Sequence, residues 1–225
     1  MRCAWNQFLL TVIACVVPWI TTGGCEEAPK PYGIEARLRL NAPVRQVWAI
    51  APAINLSGQR DVDPLLQADY VYEQLQQIDG LTIVPVNRVA EVYAGLKIDG
   101  IKSPEQAAQV CQLLKCDALV VPTVTVYEPY DPPKLGAALQ LFQATPHTAG
   151  GSAVQNAVFF QAVGMFDAAN GSVRARVLSY AAGRNDPKSP LGPREYLESM
   201  ERYCGFVYDM LATDLLKQLN QQPPV

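Results

Sequence analysis

The sequence predicts an α/β fold of the α+β kind: a mixed sheet, parallel in its β-α-β part and then antiparallel, with helices packed on it. Three observations predict this fold. As far as residue 127, apolar strand-like runs alternate with segments that have helix-start signals. Strand-like segments joined by turns follow. Near the end of the sequence, apolar residues recur at the spacing of one long helix. With 225 residues, 49% of them hydrophobic, the chain has enough apolar material for one core. No internal repeat or second composition occurs, so residues 34–221 are predicted to form a single domain.

The first two predicted strands differ in polarity. Residues 34–40 alternate apolar and charged side chains, which is typical of a half-exposed strand at a sheet edge. Residues 45–54 are nearly all apolar, which favours a central strand covered on both faces. The polar turn at residues 55–58 then predicts a corner between this strand and a helix.

Three helices are predicted next, each from the residue at its start. A capping side chain accepts bonds from free N–H groups, and proline is preset for the first helical position. The starts are Asp63-Pro64, Asn87 and Ser103-Pro104. A short buried strand over residues 81–86 separates the first two helices, and a strand rich in β-branched residues begins at Asp117 and runs into a proline-rich loop, 128–134.

The second half is predicted to hold three more strands and a helix. The strands cover residues 137–144, 153–167 and 172–182, and Asn170-Gly171 favours a tight hairpin between the last two. From residue 193 to about 219, apolar residues recur at helical spacing, which predicts a long C-terminal helix. Residues 222–225 are predicted to be a tail.

The first 24 residues are predicted to be a signal peptide. Arg2 gives a positive start, and the apolar run 8–20 is too short for a comfortable membrane span. The TTGGC stretch that follows resembles the lipobox of bacterial lipoproteins, which implies lipid attachment at Cys25 and a tether over residues 25–33. Because Thr22 stands where that family usually has leucine, cleavage by the general signal peptidase, giving a soluble exported protein, is one alternative. An uncleaved signal anchor is the other.

The remaining cysteines are predicted to be small apolar core residues. Cys111, Cys116 and Cys204 are an odd number, so at least one stays unpaired even where export permits disulfides. The five-residue spacing of the first two does not suit a bridge within a regular helix, and a Cys111–Cys204 bridge is the alternative. With one histidine and no close ligand pairs, no metal site is predicted, and the phosphate and dinucleotide motifs that would predict a cofactor are missing.

Charge and motif content favour a protein that neither binds nucleic acid nor catalyses a reaction. The net charge of −3 provides no basic field for phosphates. His147 lies in a loop rich in Gly and Thr, and no serine has the setting of a nucleophile. The alternative is a hydrolase that uses Asp61, Asp63 and Asp69, which lie near the carboxyl end of the central strand.

Residues 47–127 resemble the TolB amino-terminal-like family. The resemblance is carried by NLSG after a strand, the acid-capped helix, GLTIVPVNRV and CDALVVPTVTVY, and by the later turn DAANGSV. That family includes the curli-secretion lipoprotein CsgG and lipoprotein activators of penicillin-binding proteins. The resemblance implies an envelope protein that binds other proteins or assembles into complexes, and it transfers no catalytic residue.

Two segments are the predicted sites. A corner at the carboxyl end of a central strand is where ligands bind in open α/β sheets, and rigid aromatic loops are frequent at interfaces. Their residues are Asn55, Ser57 and Gly58 in the corner, and Tyr127, Tyr130, Pro132 and Pro133 in the loop.

The sequence therefore predicts a lipid-anchored protein of the cell envelope that faces the periplasm and acts as a non-catalytic binding or assembly module for other envelope proteins. The first alternative is a secretion or transport component that forms homo-oligomers through its sheet edge or C-terminal helix. A membrane pore built from residues 153–167 is disfavoured, because a clean lipid-facing alternation does not extend over a full strand.

Overall fold

Helices cover both faces of one mixed sheet in this computed structural model, which describes residues 38–143 and 158–221. The strands are β1 Gln46–Ile50, β2 Ile54–Asn55, β3 Leu81–Ile83, β4 Ala118–Glu128, β5 Lys134–Gln143 and β6 Val158–Asp167. Their order is β3-β1-β4-β5-β6, and β2 also pairs with β4. β1, β2, β3 and β4 pair in parallel, whereas β5 is antiparallel to both of its neighbours. The predicted fold class is confirmed.

Two layers of helices enclose the sheet. The helices are α1 Pro64–Leu75, α2 Val86–Leu96, α3 Pro104–Leu114, α4 Gly171–Ala182, α5 Glu195–Glu198 and α6 Met200–Asn220. Helices α1 and α6 pack on one face with α4 and α5 beside them, and α2 and α3 pack on the other. Among the described residues, none of the helices combines the length and the apolar character that a membrane crossing needs.

Alternation along the central strands builds the two cores. In β1, Trp48 and Ile50 face α1 and α6, while Ala49 faces α2 and α3, and all three are fully buried. This is the continuous apolar pattern of a strand covered on both faces. The predicted central strand is nevertheless split in two, because Pro52, which has no N–H to donate, lies in the break between β1 and β2.

Two of the three predicted helix starts are observed. Asp63 Oδ1 accepts bonds from the amides of Leu65 at 2.8 Å and Leu66 at 3.3 Å, and Ser103 caps α3 through the amide of Gln106. The predicted cap at Asn87 is wrong: α2 begins at Val86 after Pro85, with no side-chain cap. Val86 is buried against the larger core, which favours entry into the helix one residue before the asparagine.

The predicted strand over residues 172–182 is wrong, and so is the hairpin at Asn170-Gly171. This segment is helix α4, and Asn170 caps it by accepting bonds from the Ser172 amide at 2.9 Å and hydroxyl at 2.8 Å. Val177, Tyr180 and Ala181 are buried at helical spacing. The segment also fits a period of two, because apolar residues at 173, 175 and 177 alternate with arginines at 174 and 176, so packing against β6 and α6 decides between helix and strand.

The C-terminal helical region is interrupted at Ser199. Its φ of −109° and ψ of 116° end α5, and its hydroxyl caps α6 through the amide of Arg202 at 3.4 Å. The long C-terminal helix is therefore confirmed from Met200 onwards. Other boundaries differ less: β5 begins at Lys134, three residues before the predicted start.

Some predictions concern residues outside the described ranges. These are the signal peptide, the tether, Cys25, His147 and the tail. Of the predicted edge strand over residues 34–40, only the last three residues are described, and there Arg39 forms a single parallel bridge with Asp79.

A buried hydrogen bond joins α1 to α6. The hydroxyl of Tyr208 donates to Oε1 of Gln67 at 2.7 Å, and both side chains are buried, with Cys204 Sγ 3.9 Å from the same oxygen. Burial raises the pKa of Tyr208 well above its ordinary value, so the phenol stays protonated and remains a donor. Because an unpaired buried amide is costly, this bond favours one docking of the two helices.

Asp209 is a buried carboxyl group on α6. Its side chain is 9% exposed, and its Oδ1 lies 3.8 Å from Nη2 of Arg184, whose guanidinium stacks 4.1 Å from the centre of the Tyr180 ring. Burial raises the pKa of Asp209 to about 6, and Arg184 opposes that shift only in part. The folded environment therefore disfavours the ionised carboxylate.

We expect Asp209 to make stability fall between pH 4 and pH 8. Its folded pKa lies above its ordinary value of 3.8, so the favourable contribution is complete below about pH 4 and is lost as pH rises through 6. The shift corresponds to about 3 kcal/mol. Urea unfolding at several pH values measures this effect: between pH 4 and pH 8, the free energy of unfolding of D209N should rise by about 3 kcal/mol relative to that of the unsubstituted protein. The variant D214N, at an exposed position, should show no such rise. If the free energies of unfolding of D209N and the unsubstituted protein changed with pH in parallel, Asp209 would not be the group responsible.

Candidate partner-binding cleft

A cleft of about 330 Å³ opens at the end of the sheet where β4 turns into β5. Three parts of the chain form it: the segment between β2 and α1, the loop from β4 to β5, and the end of β6. Its polar and aromatic lining residues are Gln59, Asp61, Tyr127, Glu128, Tyr130, Asp131, Lys134 and Asp167. We call this site the acidic cleft, because four of these side chains are carboxylates and one is an ammonium.

The floor of the acidic cleft is a charged row across three strands. Strand register places Lys134 opposite Glu128 on one side and opposite Asp167 on the other. Its Nζ lies 3.4 Å from Glu128 Oε2 and 3.2 Å from Asp167 Oδ2. A single ammonium is thus shared between two carboxylates.

In this row, the pKa values of Asp167 and Lys134 are both shifted away from pH 7. The bond from the Ala169 amide to Asp167 Oδ1, at 2.9 Å, lowers the pKa of Asp167, and Lys134 lowers it further. The bond to Asp167 raises the pKa of Lys134, with Glu128 adding to the effect. Lys134 therefore remains a cation and Asp167 an anion throughout the neutral pH range.

Two further carboxylates carry charge that this row does not balance. Asp61 and Asp131 are exposed, and neither takes part in any ion pair within the described residues. Tyr127 lies between them and the core: burial raises its pKa, with further contributions from Cys204 and Asp61. The cleft consequently presents an excess of negative charge beside an aromatic wall.

The loop over the cleft is held stiffly and carries an exposed aromatic ring. Tyr130 is 84% exposed, between Pro129 and the cis peptide bond of Asp131-Pro132. The buried Pro133 ties the loop to the end of β6, because its carbonyl accepts a bond from the Ala168 amide at 3.0 Å. Proline fixes φ, so little backbone freedom is left to lose when a partner contacts the ring.

The predicted corner site satisfies its own hydrogen bonds. Asn55 Oδ1 accepts from the amide and hydroxyl of Ser57 at 3.0 and 2.7 Å, and Asn55 Nδ2 donates to the carbonyl of Gln59 at 2.7 Å. Gly58 has a φ of +76°, which non-glycine residues rarely adopt. Asn55, Ser57 and Gly58 shape a turn that leads into the acidic cleft, and the cleft lining begins one residue later, at Gln59.

The structure separates the carboxylates of the hydrolase alternative. Asp61 lines the acidic cleft, and Asp63 caps α1. Asp69 lines a different depression, of about 320 Å³, beside Tyr72 and Asn87. The three groups therefore do not share one cavity in which an acid and a base would face the same substrate. No set of three or more His, Cys, Asp or Glu side chains suited to a metal ion occurs within residues 38–143 and 158–221.

The three cysteines of the domain are free and buried. Cys111 belongs to the core under α2 and α3, whereas Cys204 belongs to the core under α1 and α6. The sheet lies between them, so the alternative Cys111–Cys204 bridge is wrong. Burial raises the pKa of Cys204 to about 12, and the bond to Cys116 together with burial raises that of Cys111. Both sulfurs are thiols at neutral pH, which makes them poor nucleophiles.

Comparison with known proteins gives structural neighbours and no family. No family model and no curated protein matches the chain. Among the solved structures that match, the C-terminal domain of LpoB from Salmonella enterica is 11% identical, with a TM-score of 0.41, covering 56% of this chain and 84% of that one. Lipoprotein GNA1162 from Neisseria meningitidis is 16% identical, with a TM-score of 0.38 and coverages of 56% and 85%.

A third neighbour covers more of the chain. It is the PelC dodecamer from Paraburkholderia phytofirmans, 11% identical with a TM-score of 0.39, covering 83% of this chain and 95% of that one. These identities and TM-scores are too low to assign a partner or an oligomeric state of the neighbours to this protein. The resemblance to the TolB amino-terminal-like family stays a prediction.

The sequence pointed to part of the cleft and missed the rest. Tyr127, Tyr130 and Pro132 line it as the loop prediction implies, whereas Pro133 is buried beneath the loop. Gln59 and the row of Glu128, Lys134 and Asp167 were not predicted. Only strand register brings Asp167 beside Lys134, and no local pattern in the sequence announces that register.

Proposed function

We propose that this protein is an exported, lipid-anchored module of the cell envelope that faces the periplasm and binds a basic segment of a partner protein in its acidic cleft. The function is non-catalytic. The observation that carries the proposal is the exposed ring of Tyr130 in a cleft lined by four carboxylates, of which only Glu128 and Asp167 pair with the single ammonium, that of Lys134.

Charge complementarity identifies the chemistry of the partner. Lys134 is held by Glu128 and Asp167, so the charges of Asp61 and Asp131 are left to an arginine or lysine from outside. At such an exposed site each new ion pair contributes only about 0.2–1 kcal/mol, so charge supports the choice of partner and the association rate more than raw affinity.

Tyr130 adds the contact that charge alone does not supply. An exposed tyrosine stacks on a guanidinium with about 0.5–1 kcal/mol of attraction. The prolines that flank it limit the entropy lost on binding. An arginine-containing segment lying along the loop would meet the ring and the carboxylates together.

The protonation states of the cleft support binding over catalysis. A general acid or base works best with a pKa near the operating pH. Here the pKa of Asp167 is lowered and that of Lys134 is raised, so each moves away from neutrality. The pair is suited to hold an electrostatic field and poorly suited to exchange a proton with a substrate.

A peptide titration tests the proposed binding. The probe is a short peptide of alternating arginine and glycine, added to the full-length protein in detergent, with the glutamate counterpart as the matched control. We expect saturable binding of the arginine peptide that weakens as salt is added, because exposed charges are screened. Equal binding of both peptides, or binding that salt leaves unchanged, would contradict charge recognition.

Palmitate labelling tests the lipid anchor separately. We expect cells that produce the full-length protein to incorporate the label and the variant Cys25→Ser to lose it. The matched control is Cys204→Ser, which changes a cysteine that is buried in the core. Label that persists in Cys25→Ser would exclude Cys25 as the lipid site, whereas absence of label from the unsubstituted protein would favour the soluble exported protein or the uncleaved signal anchor.

A further inference from the structure

Strand β6 is a long, uncharged edge of the sheet. β5 pairs with one side of it over all ten residues of Val158–Asp167. No other strand in the described part of the chain pairs with its second side. The sequence VFFQAVGMF carries no charge until Asp167. Such an edge is a template for another chain, and monomeric proteins usually shorten, charge or cover it.

The opposite edge of the same sheet is protected in these ways. β3 is only three residues long. The guanidinium of Arg45 covers it, with Nη2 and Nε donating to the Leu81 carbonyl at 2.7 and 3.1 Å. The backbone of Leu38 and Leu40 bonds to Asp79 just before it. Within the described residues, the fold thus protects the β3 edge in these ways, whereas on the β6 edge only the side chain of Gln218 bonds to the backbone, at the Gln161 carbonyl.

The open side of β6 presents the backbone of the odd-numbered residues. The Gln161 carbonyl accepts a bond from Nε2 of Gln218 on α6 at 3.0 Å, whereas the Ala168 amide bonds to Pro133 on the β5 side. Successive residues of a strand point their N–H and C=O groups to alternate sides. The N–H and C=O groups of Val163 and Met165 therefore face away from β5.

Apolar side chains accompany this free backbone. Val163 is 67% exposed and Met165 is 56% exposed, both on the face of the sheet away from α6. The Met165 side chain lies over Gly136, where an added Cβ would come within 2.9 Å of its Cε. The outer face beside the edge therefore carries two exposed apolar side chains, one of them over a glycine, which suits close approach of a second strand.

We propose that two copies of this chain associate by antiparallel pairing of their β6 strands about a two-fold axis at Val163. Val163 then pairs with the partner's Val163, and Gln161 with the partner's Met165. A two-fold axis brings the same patch of each copy together, which closes the assembly. This proposal does not rest on the function of the acidic cleft.

Charge selects the antiparallel arrangement. In the two-fold pair the Asp167 carboxylates lie at opposite ends, about 27 Å apart at 3.4 Å per residue. A parallel pair would set the two Asp167 side chains next to each other, and like charges directly opposite are destabilising. The midpoint at Val163 also overlaps nearly the whole uncharged run of both strands.

Cysteine variants of the full-length protein test the pairing and its register. Facing residues of a hydrogen-bonded antiparallel pair have Cα atoms about 5.5 Å apart, within disulfide range. With an added oxidant, V163C should form a covalent dimer at least tenfold faster than V44C, whose parent residue is 73% exposed. A mixture of Q161C and M165C chains should cross-link to each other faster than either cross-links to itself. The native Cys111, Cys116 and Cys204 are buried and do not compete.

A charge variant provides a second test without cysteine chemistry. V163K places two ammonium groups at the axis, so its dimer should dissociate at least tenfold more readily than that of V44K in analytical ultracentrifugation. Both positions are exposed, so both variants should keep the fold. Equal cross-linking of V163C and V44C, an adduct of V163C with a different protein, or a monomeric unsubstituted protein at micromolar concentration would each overturn the proposal.

Discussion

Replacing Phe206 by alanine is expected to lower the free energy of unfolding by about 3–5 kcal/mol. Phe206 is fully buried on α6, and its ring centre lies 5.8 Å from that of Phe166 on β6 and 5.5 Å from that of Tyr180 on α4. Both pairs meet edge to face, the geometry in which aromatic contacts add to simple burial. The substitution therefore leaves a cavity where the helical layer packs against the edge of the sheet.

Urea denaturation of the full-length protein measures this loss. Because small domains are stable by about 5–15 kcal/mol, F206A should shift the unfolding midpoint strongly. The conservative variant F206L should lose less, since it keeps most of the apolar volume. L113A, at a position on α3 that is 56% exposed, is the matched control and should change stability little. A small effect of F206A would mean that α6 does not dock on β6 through this ring.

The second large expected effect concerns the acidic cleft. The double variant D61N/D131N removes the two carboxylates that no ion pair balances, and we expect about a tenfold loss of affinity for the arginine peptide at low salt. Stability should stay nearly constant, because both side chains are exposed and unpaired among the described residues. Isothermal titration calorimetry at two salt concentrations measures both the loss and its screening.

The matched control for this effect is D69N/D99N. It changes the net charge by the same amount at exposed positions outside the acidic cleft. We expect its affinity for the peptide to remain close to that of the unsubstituted protein. Equal losses in the two double variants would show that the peptide senses only the net charge of the protein, and the cleft would no longer be the site.

Much of the fold could be read from local signals. Asp63 with Pro64 and Ser103 with Pro104 begin helices where the sequence places them, since each cap involves atoms only two or three residues apart. The continuous apolar run in β1 likewise indicates burial of that strand on both faces. Signals of this kind need no knowledge of the rest of the chain.

The predictions of secondary structure are wrong where the local sequence is compatible with two structures and tertiary packing determines which one forms. Asn170-Gly171 is compatible both with a hairpin turn and with a helix cap, and residues 172–182 fit either period. Burial of Val177 and Tyr180 against α6 and β6 favours the helix. Ser199 is a similar case: its role as a cap appears only once α5 is separated from α6.

The candidate site was predictable only in part for the same reason. The proline-rich loop and Tyr130 stand out in the sequence, because prolines and an aromatic residue are adjacent there. The charged row depends on the antiparallel register that sets Lys134 against Asp167, which is 33 positions away. Register follows from the packing of whole strands, so no short motif reveals it.

Site-specific photo-cross-linking from position 130 tests the central claim most directly, that the acidic cleft binds a basic segment of an envelope partner. A photoreactive amino acid replaces Tyr130 in the full-length protein in its native cells, and the same replacement at Leu113 is the matched control. The account predicts an adduct from position 130 alone, attached to a segment of the partner rich in lysine or arginine, and lost when D61N/D131N is added. The same adducts from both positions, or an adduct from position 130 that D61N/D131N leaves unchanged, would contradict it.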